Sequence, residues 1–250
     1  MTGRAGSSMK QGVTVRAVLF DAGDTLFRVR GSVGEVYATV AIRHGVDMAA
    51  ADIEPRFRAA FRHMPPLGFP GAAEADLPQL EYQWWHAVVR ATFEGVRFAD
   101  FEAFFQDLYA QFACADVWGV FPDVRPALAA LRDRGLHLAI VSNFDGRLAT
   151  ICGALGLAAA FDAIVMSGRA GCAKPDPRIF RVALERLGVD GSAALHVGDS
   201  EHEDVDGARA AGIAALWLRR DAGSATVVPS ISDLRELTVR LGEGAHSGWS

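Results

Sequence analysis

The chain is poor in cysteine, has no long apolar run and carries no basic block. Its three cysteines, Cys114, Cys152 and Cys172, are an odd number at wide spacing, which excludes a disulfide framework and fits a reducing compartment. The cytoplasm is therefore the expected location. No stretch approaches the roughly 18–20 consecutive apolar residues that a membrane-spanning helix needs, so no membrane partner is expected. Lys and Arg total 25 against 30 acidic residues, a formal charge of −5, and they are scattered. Contacts to a phosphate backbone need clustered cations, so nucleic acid is not an expected partner either. The polar, Gly- and Ser-containing stretch Met1 to Gln11 lacks the apolar core of a secretory signal and reads as a frayed tail, with Met1 or Met9 as the start. Internal repeats and low-complexity tracts are absent, and nothing specifies an oligomeric state.

What is present suits a globular protein: 250 residues, half of them apolar, with ten prolines. Val15 to Phe20 is an apolar run that reads as a buried strand. Helical spacing then takes over at Glu35 to His44, Asp52 to His63, Leu80 to Phe93 and Phe101 to Phe112, with a Pro- and Gly-rich loop from Met64 to Gly71. Nothing between Arg30 and Ala113 reads as a strand, so this block is expected to be an inserted bundle of about four helices. Its aromatics, Trp84, Trp85, Phe101, Phe104, Phe105 and Tyr109, either line a pocket or, as expected for such a bundle, form its core.

From Pro122 strands and helices alternate. Helices are expected at Asp123 to Arg134, Gly146 to Leu155, Asp176 to Leu187, Asp204 to Ala211 and Ser232 to Leu241, and strands at His137 to Val141, Ala163 to Met166, Ala193 to Val197 and Ala214 to Leu218. Such alternation implies a parallel sheet covered by helices on both faces. The predicted architecture is α/β: a doubly wound, Rossmann-like core over 13–27 and 115–242, an all-helical cap over 28–114, and flexible tails at 1–12 and 243–250.

Three strands end in polar residues: Asp21 and Asp24, Ser142 with Asn143, and Asp199 with Ser200. Strands of a parallel sheet point the same way, so these ends can converge on one edge. Each carboxylate alone is open to three readings: metal ligand, nucleophile or turn former. A fourth element, Lys174-Pro175-Asp176-Pro177, holds a lysine in a stiff loop at a helix entrance, either solvated or set near those carboxylates.

Together these residues resemble the haloacid dehalogenase-like (HAD) hydrolase superfamily, in its branch with a helical cap inserted after the first strand. The likeness covers Val15 to about Leu218 and includes four signatures in order: Asp21-Ala22-Gly23-Asp24-Thr25, Ser142-Asn143, Lys174 in Lys-Pro-Asp-Pro, and Gly198-Asp199-Ser200 with Asp204 beyond. The resemblance implies a phosphohydrolase for a small phosphorylated metabolite. Asp21 would be the nucleophile, forming an aspartyl-phosphate, and Lys174 would steady it. Ser142 and Asn143 would bind the phosphate. Asp21, the carbonyl of Gly23, Asp199 and Asp204 would hold Mg²⁺, with Asp204 acting through water. The cap would close over the site, hinged at about Leu26–Gly34 and Ala113–Phe121.

One signature departs from the family pattern. Phosphatases of this superfamily usually read Asp-x-Asp-Gly-Thr, where the second Asp is the general acid, whereas here that position is Gly23 and Asp24 follows it. The roles of Asp24 and Thr25 are thus open, and turnover of alkyl phosphates is expected to be slow. Two alternatives stand beside the phosphatase: a metal-free 2-haloacid dehalogenase, and a regulatory protein that binds phosphate and metal with negligible turnover. His196 is expected to pack beside the site, Glu201, His202 and Glu203 to be solvated loop residues, and Cys172 to be an inert thiol. Arg28 and Arg30 either meet an acidic group of the substrate or lie at the surface.

Overall fold

Ala17-Val18-Leu19-Phe20 is hydrocarbon throughout and completely buried, and it forms the central strand β1 (Ala17–Phe20). Its alternation explains the layering. Val18 and Phe20 face one apolar cluster, Ala17 and Leu19 face another, so both sides of the sheet must be covered. The computed structural model describes residues 14–221 and 226–241, and the tails expected at 1–12 and 243–250 and the question of Met1 or Met9 lie outside them.

After β1 come β2 (Phe27–Val29), then helices α1 (Val33–Arg43), α2 (Ala50–His63), α3 (Leu77–Thr92) and α4 (Phe101–Gln111), and then β3 (Trp118–Val120). The alternating half follows: α5 (Val124–Asp133), β4 (His137–Ser142), α6 (Arg147–Ala154), β5 (Ala163–Met166), α7 (Ser167–Ala170), α8 (Pro177–Leu187), β6 (Ala194–Gly198), α9 (Gly207–Ala210), β7 (Ala214–Leu218), β8 (Ser230–Ile231) and α10 (Arg235–Arg240). The main sheet has the order β5-β4-β1-β6-β7-β8 and every pairing in it is parallel. Phe20 pairs with Ile140 on one side and Val197 on the other, so β1, β4 and β6 end together at one edge. Helices α5 and α6 cover the Phe20 face and α8 and α9 the Leu19 face. This is the expected doubly wound α/β core.

Helices α1 to α4 form the inserted cap around their own core, which includes Tyr37, Ile53, Val89, Phe104 and Phe105. Of the cap aromatics, Phe101 and Phe104 pack in that core, whereas Trp84, Trp85, Phe105 and Tyr109 also line a cavity, so both expected roles are found. The two connectors expected as hinges are paired with each other. β2 and β3 pair antiparallel, Phe27 with Val120 and Val29 with Trp118, and three-residue strands are too short to show period-two patterning in sequence. Arg30 belongs to this ribbon, donating from Nε to the Trp118 carbonyl at 2.8 Å, while Arg28 lies exposed over the Phe121 ring.

Helix boundaries differ at several ends. α3 begins at Leu77, three residues before the expected start, because Pro78 fits a first turn that has no need of its N–H. α10 is confined to Arg235–Arg240, and the short strand β8 and helix α7 have no clear sequence pattern. Among the described residues no helix is long and apolar enough to cross a membrane.

Candidate active site

The Asp21 amide donates to the Val197 carbonyl at 3.0 Å, which keeps the backbone in strand register one residue past β1 and sets its carboxylate at the sheet edge. The chain then turns sharply. Thr25 N donates to the Gly23 carbonyl at 2.6 Å and Asp24 N to the Phe27 carbonyl at 2.9 Å. Asp24 sits at the turn with φ +52°, the one positive φ outside glycine among the described residues. The exchange of Asp and Gly seen in the sequence therefore puts a side chain at the left-handed position, where glycine would be free of strain. Gly23 beside it has open space where a Cβ would stand. The turn is anchored from across the sheet by Arg220, whose guanidinium donates to the carbonyls of Thr25 (2.6 Å) and Asp24 (3.3 Å) and to both carboxylate oxygens of Asp123.

On the adjacent strand, β6 ends at Gly198 and the chain enters a π-helical turn, Glu201–Asp206, instead of the α-helix start expected at Asp204. The Ser200 hydroxyl caps it by accepting from Glu203 N. This wide turn folds the Asp204 carboxylate back over β6, so close that a Cβ on Gly198 would lie 2.1 Å from its carboxyl carbon. Only glycine leaves that room. Asp199 projects at the same edge, its backbone carbonyl held by the Trp217 indole N–H at 2.8 Å, and its Oδ1 receives the Thr25 hydroxyl at 3.3 Å.

Lys174 reaches this edge from the loop before α8. Its Nζ donates to Oδ1 of Asp21 and Oδ1 of Asp204, both at 2.6 Å, and all three side chains are almost fully buried. Asn143 secures the loop: its Oδ1 accepts from Lys174 N at 2.7 Å and its Nδ2 donates to the Lys174 carbonyl at 3.0 Å and to Glu203 at 3.1 Å. The carboxamide of Asn143 is thus committed to Lys174, which leaves its backbone amide as what it can offer a phosphate. Ser142 is buried at the end of β4, and its hydroxyl bears on Asp21.

Electrostatics divides the carboxylates. Burial pushes the Asp21 carboxyl up, with Lys174 pulling against it. Asp199 is pushed up to about 7 by burial and by the neighbouring charges of Asp21 and Asp204. Burial would raise Asp204 too, yet the Lys174 ammonium and a 2.9 Å hydrogen bond from His196 Nε2 hold it well below the usual carboxylate range. The same two carboxylates outweigh burial at Lys174 and keep it protonated. Asp24 is raised by burial against the pull of Arg28 and Arg220.

Asp21, Lys174, Asp199, Asp204, Ser142 and Thr25 are therefore brought together as the sequence patterns predict, and oxygen atoms of Asp21, Asp199 and Asp204 lie within 4.8 Å of one another. His196 is buried beside the site as expected, but it also orients Asp204. Glu201 and His202 are exposed, as a solvated loop requires, whereas Glu203 is half-buried and bonded to Asn143. Cys172 is buried, and burial raises its thiol pKa. Arg220 and the Asn143 carboxamide are participants that local sequence pattern does not reveal, since each acts on a segment far along the chain.

The cluster forms the floor of a cavity of about 760 Å³ whose upper wall is the cap. Cap and core meet at Trp85, whose indole N–H donates to the fully buried Asp145 carboxylate, itself gripped by Arg147 at 2.9 and 2.7 Å. An all-oxygen donor set of clustered carboxylates suits a hard divalent cation, and one ammonium among three carboxylates leaves the excess negative charge that such an ion offsets.

The model of the family described as haloacid dehalogenase-like hydrolase matches residues 15–212. The chain belongs to that family of hydrolases. It is 37% identical over 232 residues to haloacid dehalogenase-like hydrolase domain-containing protein 3 of Mus musculus, covering 90% of this chain and 89% of the relative. A phosphoserine phosphatase of Thermus thermophilus is 41% identical over 124 residues, 47% of this chain and 49% of the relative. Among solved structures, a HAD phosphatase from Thermococcus onnurineus aligns with TM-score 0.67 at 25% identity over 91% of this chain and 98% of its own. A 2-haloacid dehalogenase from Pseudomonas syringae aligns with TM-score 0.63 at 25% identity over 93% and 100%.

Proposed function

We propose that the chain is a Mg²⁺-dependent phosphohydrolase that acts on a small phosphorylated metabolite through an aspartyl-phosphate on Asp21. The observation that carries this reading is the buried triad of Asp21, Lys174 and Asp204, with Asp199 alongside. Asp21, Asp199, Asp204 and the carbonyl of Gly23 would hold Mg²⁺, whose charge offsets the repulsion between a dianionic phosphate and an anionic nucleophile. In this reading residues 28–114 are the cap domain, 13–27 with 115–242 the core, and the cytoplasm its compartment, in keeping with three free cysteines.

Asp21 attacks phosphorus in line with the leaving oxygen, which departs with its electron pair. Lys174 holds the Asp21 oxygen not used for attack and balances charge on the transferred group. The Ser142 hydroxyl and the Asn143 backbone N–H orient the phosphate oxygens. Water then attacks the phosphorus of the aspartyl-phosphate, releasing inorganic phosphate and restoring Asp21. Gly23 supplies no acid to the leaving group, so the first step is slow for alkoxides.

The dehalogenase alternative shares the fold and an aspartate nucleophile, but a metal-free reaction gives no role to Asp199, set among the carboxylates beside Asp21. A panel of phosphate esters, with Mg²⁺ or EDTA, on the wild type and Asp21→Asn tests the proposal. Mg²⁺-dependent phosphate release that disappears in Asp21→Asn is expected. Chloride release from 2-chloropropionate in EDTA would establish the dehalogenase instead, and metal binding without turnover the regulatory protein.

A further inference from the structure

Within the phosphohydrolase reading, on which this inference rests, we propose that the preferred substrates are aryl phosphates and that the cap cavity holds the aromatic ring. Two independent features point the same way. The first is the chemistry of the cavity above Asp21. Its cap side carries one charged residue among the described residues, Arg62, and no carboxylate, so the ammonium of a phosphorylated amino acid finds no partner there. Beside the hydroxyl-bearing Tyr37 and Tyr109, the wall includes a patch of Phe57 and Phe61 on α2 and Trp84 and Trp85 on α3, whose ring contacts run at 5.0–5.9 Å between centroids. Both indole N–H groups point away to other acceptors, Trp84 to the Pro65 carbonyl and Trp85 to Asp145. What these side chains present is ring surface without donors, which suits a flat apolar guest and not a polyol. Phe61 is 43% exposed although it is a large apolar residue, and it lines this cavity.

The second feature is Gly23. With no acid at the position the family uses, this site favours a leaving oxygen that can depart as an anion. A phenol has a pKa of about 10, so aryloxide is a far better anionic leaving group than alkoxide. In the balanced sequence Asp21 forms an O–P bond as the aryl O–P bond breaks, and the aryloxide leaves with the electron pair and takes its proton from bulk water. Water then forms the new O–P bond as the Asp21 O–P bond breaks.

The test compares kcat/KM for 1-naphthyl phosphate, phenyl phosphate, O-phosphoserine and acetyl phosphate with Mg²⁺ present, in the wild type, Phe61→Ala and Phe61→Tyr. Naphthyl phosphate is expected to exceed phosphoserine by about a thousandfold and phenyl phosphate by about tenfold, because each added apolar group in such a pocket is worth roughly tenfold or more. Phe61→Ala is expected to collapse the naphthyl-to-phenyl ratio toward one through KM, and Phe61→Tyr, which keeps the ring, to retain it. Phosphoserine turned over as fast as naphthyl phosphate, or a ratio that Phe61→Ala leaves unchanged, overturns the aryl assignment while acetyl phosphate turnover upholds the phosphohydrolase. Phosphate released from none of the four overturns both.

Discussion

Lys174 is held as tightly by Asp204 as by Asp21: its Nζ lies 2.6 Å from an oxygen of each. A lysine placed between two buried carboxylates cannot swing away from either without leaving a charge unpaired. Asp204 is therefore as much a support for Lys174 as a candidate metal ligand, with His196 on the same oxygen and the Ser200 amide on the other as further donors.

Removing that ammonium should be felt in stability as well as activity. Lys174→Met leaves Asp21 and Asp204 buried without their shared partner, and the expected loss is about 3–5 kcal/mol. Urea unfolding measures it, and phosphate release should fall to background in the same variant. An unfolding midpoint equal to that of the wild type would mean that the triad contributes nothing to the fold.

Restoring the usual order of the first signature should improve both backbone and chemistry. Asp24→Gly relaxes a left-handed residue and should leave the protein as stable or more stable by up to about 1 kcal/mol. Gly23→Asp meets open space. In the double variant, turnover of an alkyl phosphate such as O-phosphoserine should rise by about a hundredfold or more, while 1-naphthyl phosphate gains little. Equal gains on both substrates would show that Gly23 is not a missing acid.

Stability without metal should decline as pH rises. Asp199 ionises near the ordinary value of about 4 in the unfolded chain but at about 7 in the fold, where burial and the charges of Asp21 and Asp204 disfavour its anion. Between those values the folded protein keeps a proton that the unfolded chain has released, so the contribution is full below the lower value and lost through the upper one. Asp21 and Glu203 are raised as well and act with the same sign, whereas the depressed Asp204 contributes stability that is lost only in strong acid. Mg²⁺ competes with the Asp199 proton, so the rise in Tm on adding Mg²⁺ should grow from about pH 5 to about pH 8. Calorimetry in EDTA and in Mg²⁺ across that range checks the sign. A Mg²⁺ effect that is constant with pH would remove Asp199 from the ligand set.

The cap is fastened to the core by Trp85 and Asp145. Trp85→Phe deletes one charged hydrogen bond to a carboxylate that Arg147 still holds, so a loss of about 1.5 kcal/mol is expected. Susceptibility of the cap to limited proteolysis should rise with it. Unchanged proteolysis would mean that the other cap–core contacts, among them Arg147 to the Tyr109 carbonyl, suffice to close the cap.

The parts legible in sequence are those in which one residue's role is written next to it. Asp21, Ser142 and Asp199 each stop an apolar run, and parallel strands bring such stops to one edge. Lys174 is flagged by the prolines that stiffen its loop. Gly198 and Asp204 make sense only once the chain has turned, because the collision that excludes a side chain at Gly198 is with a carboxylate six residues on. Arg220 is less legible still: it binds the carbonyls of Asp24 and Thr25 across nearly the whole length of the chain, and a guanidinium that recognises backbone oxygen has no sequence partner to betray it. The aromatic run of α3 is ambiguous in sequence for a different reason, since one helix face serves the cap core and the next the cavity.

The antiparallel pairing of Phe27–Val29 with Trp118–Val120 has a bearing on how such a molecule can vary. Because Val29 and Trp118 face each other, the chain between them begins and ends at one point, and topologically the whole four-helix block is the loop of a β-hairpin. Closing a long loop costs little more than closing a short one. The hairpin can therefore host a larger, smaller or different lid without moving a single catalytic strand, so substrate choice and catalytic machinery are free to change separately.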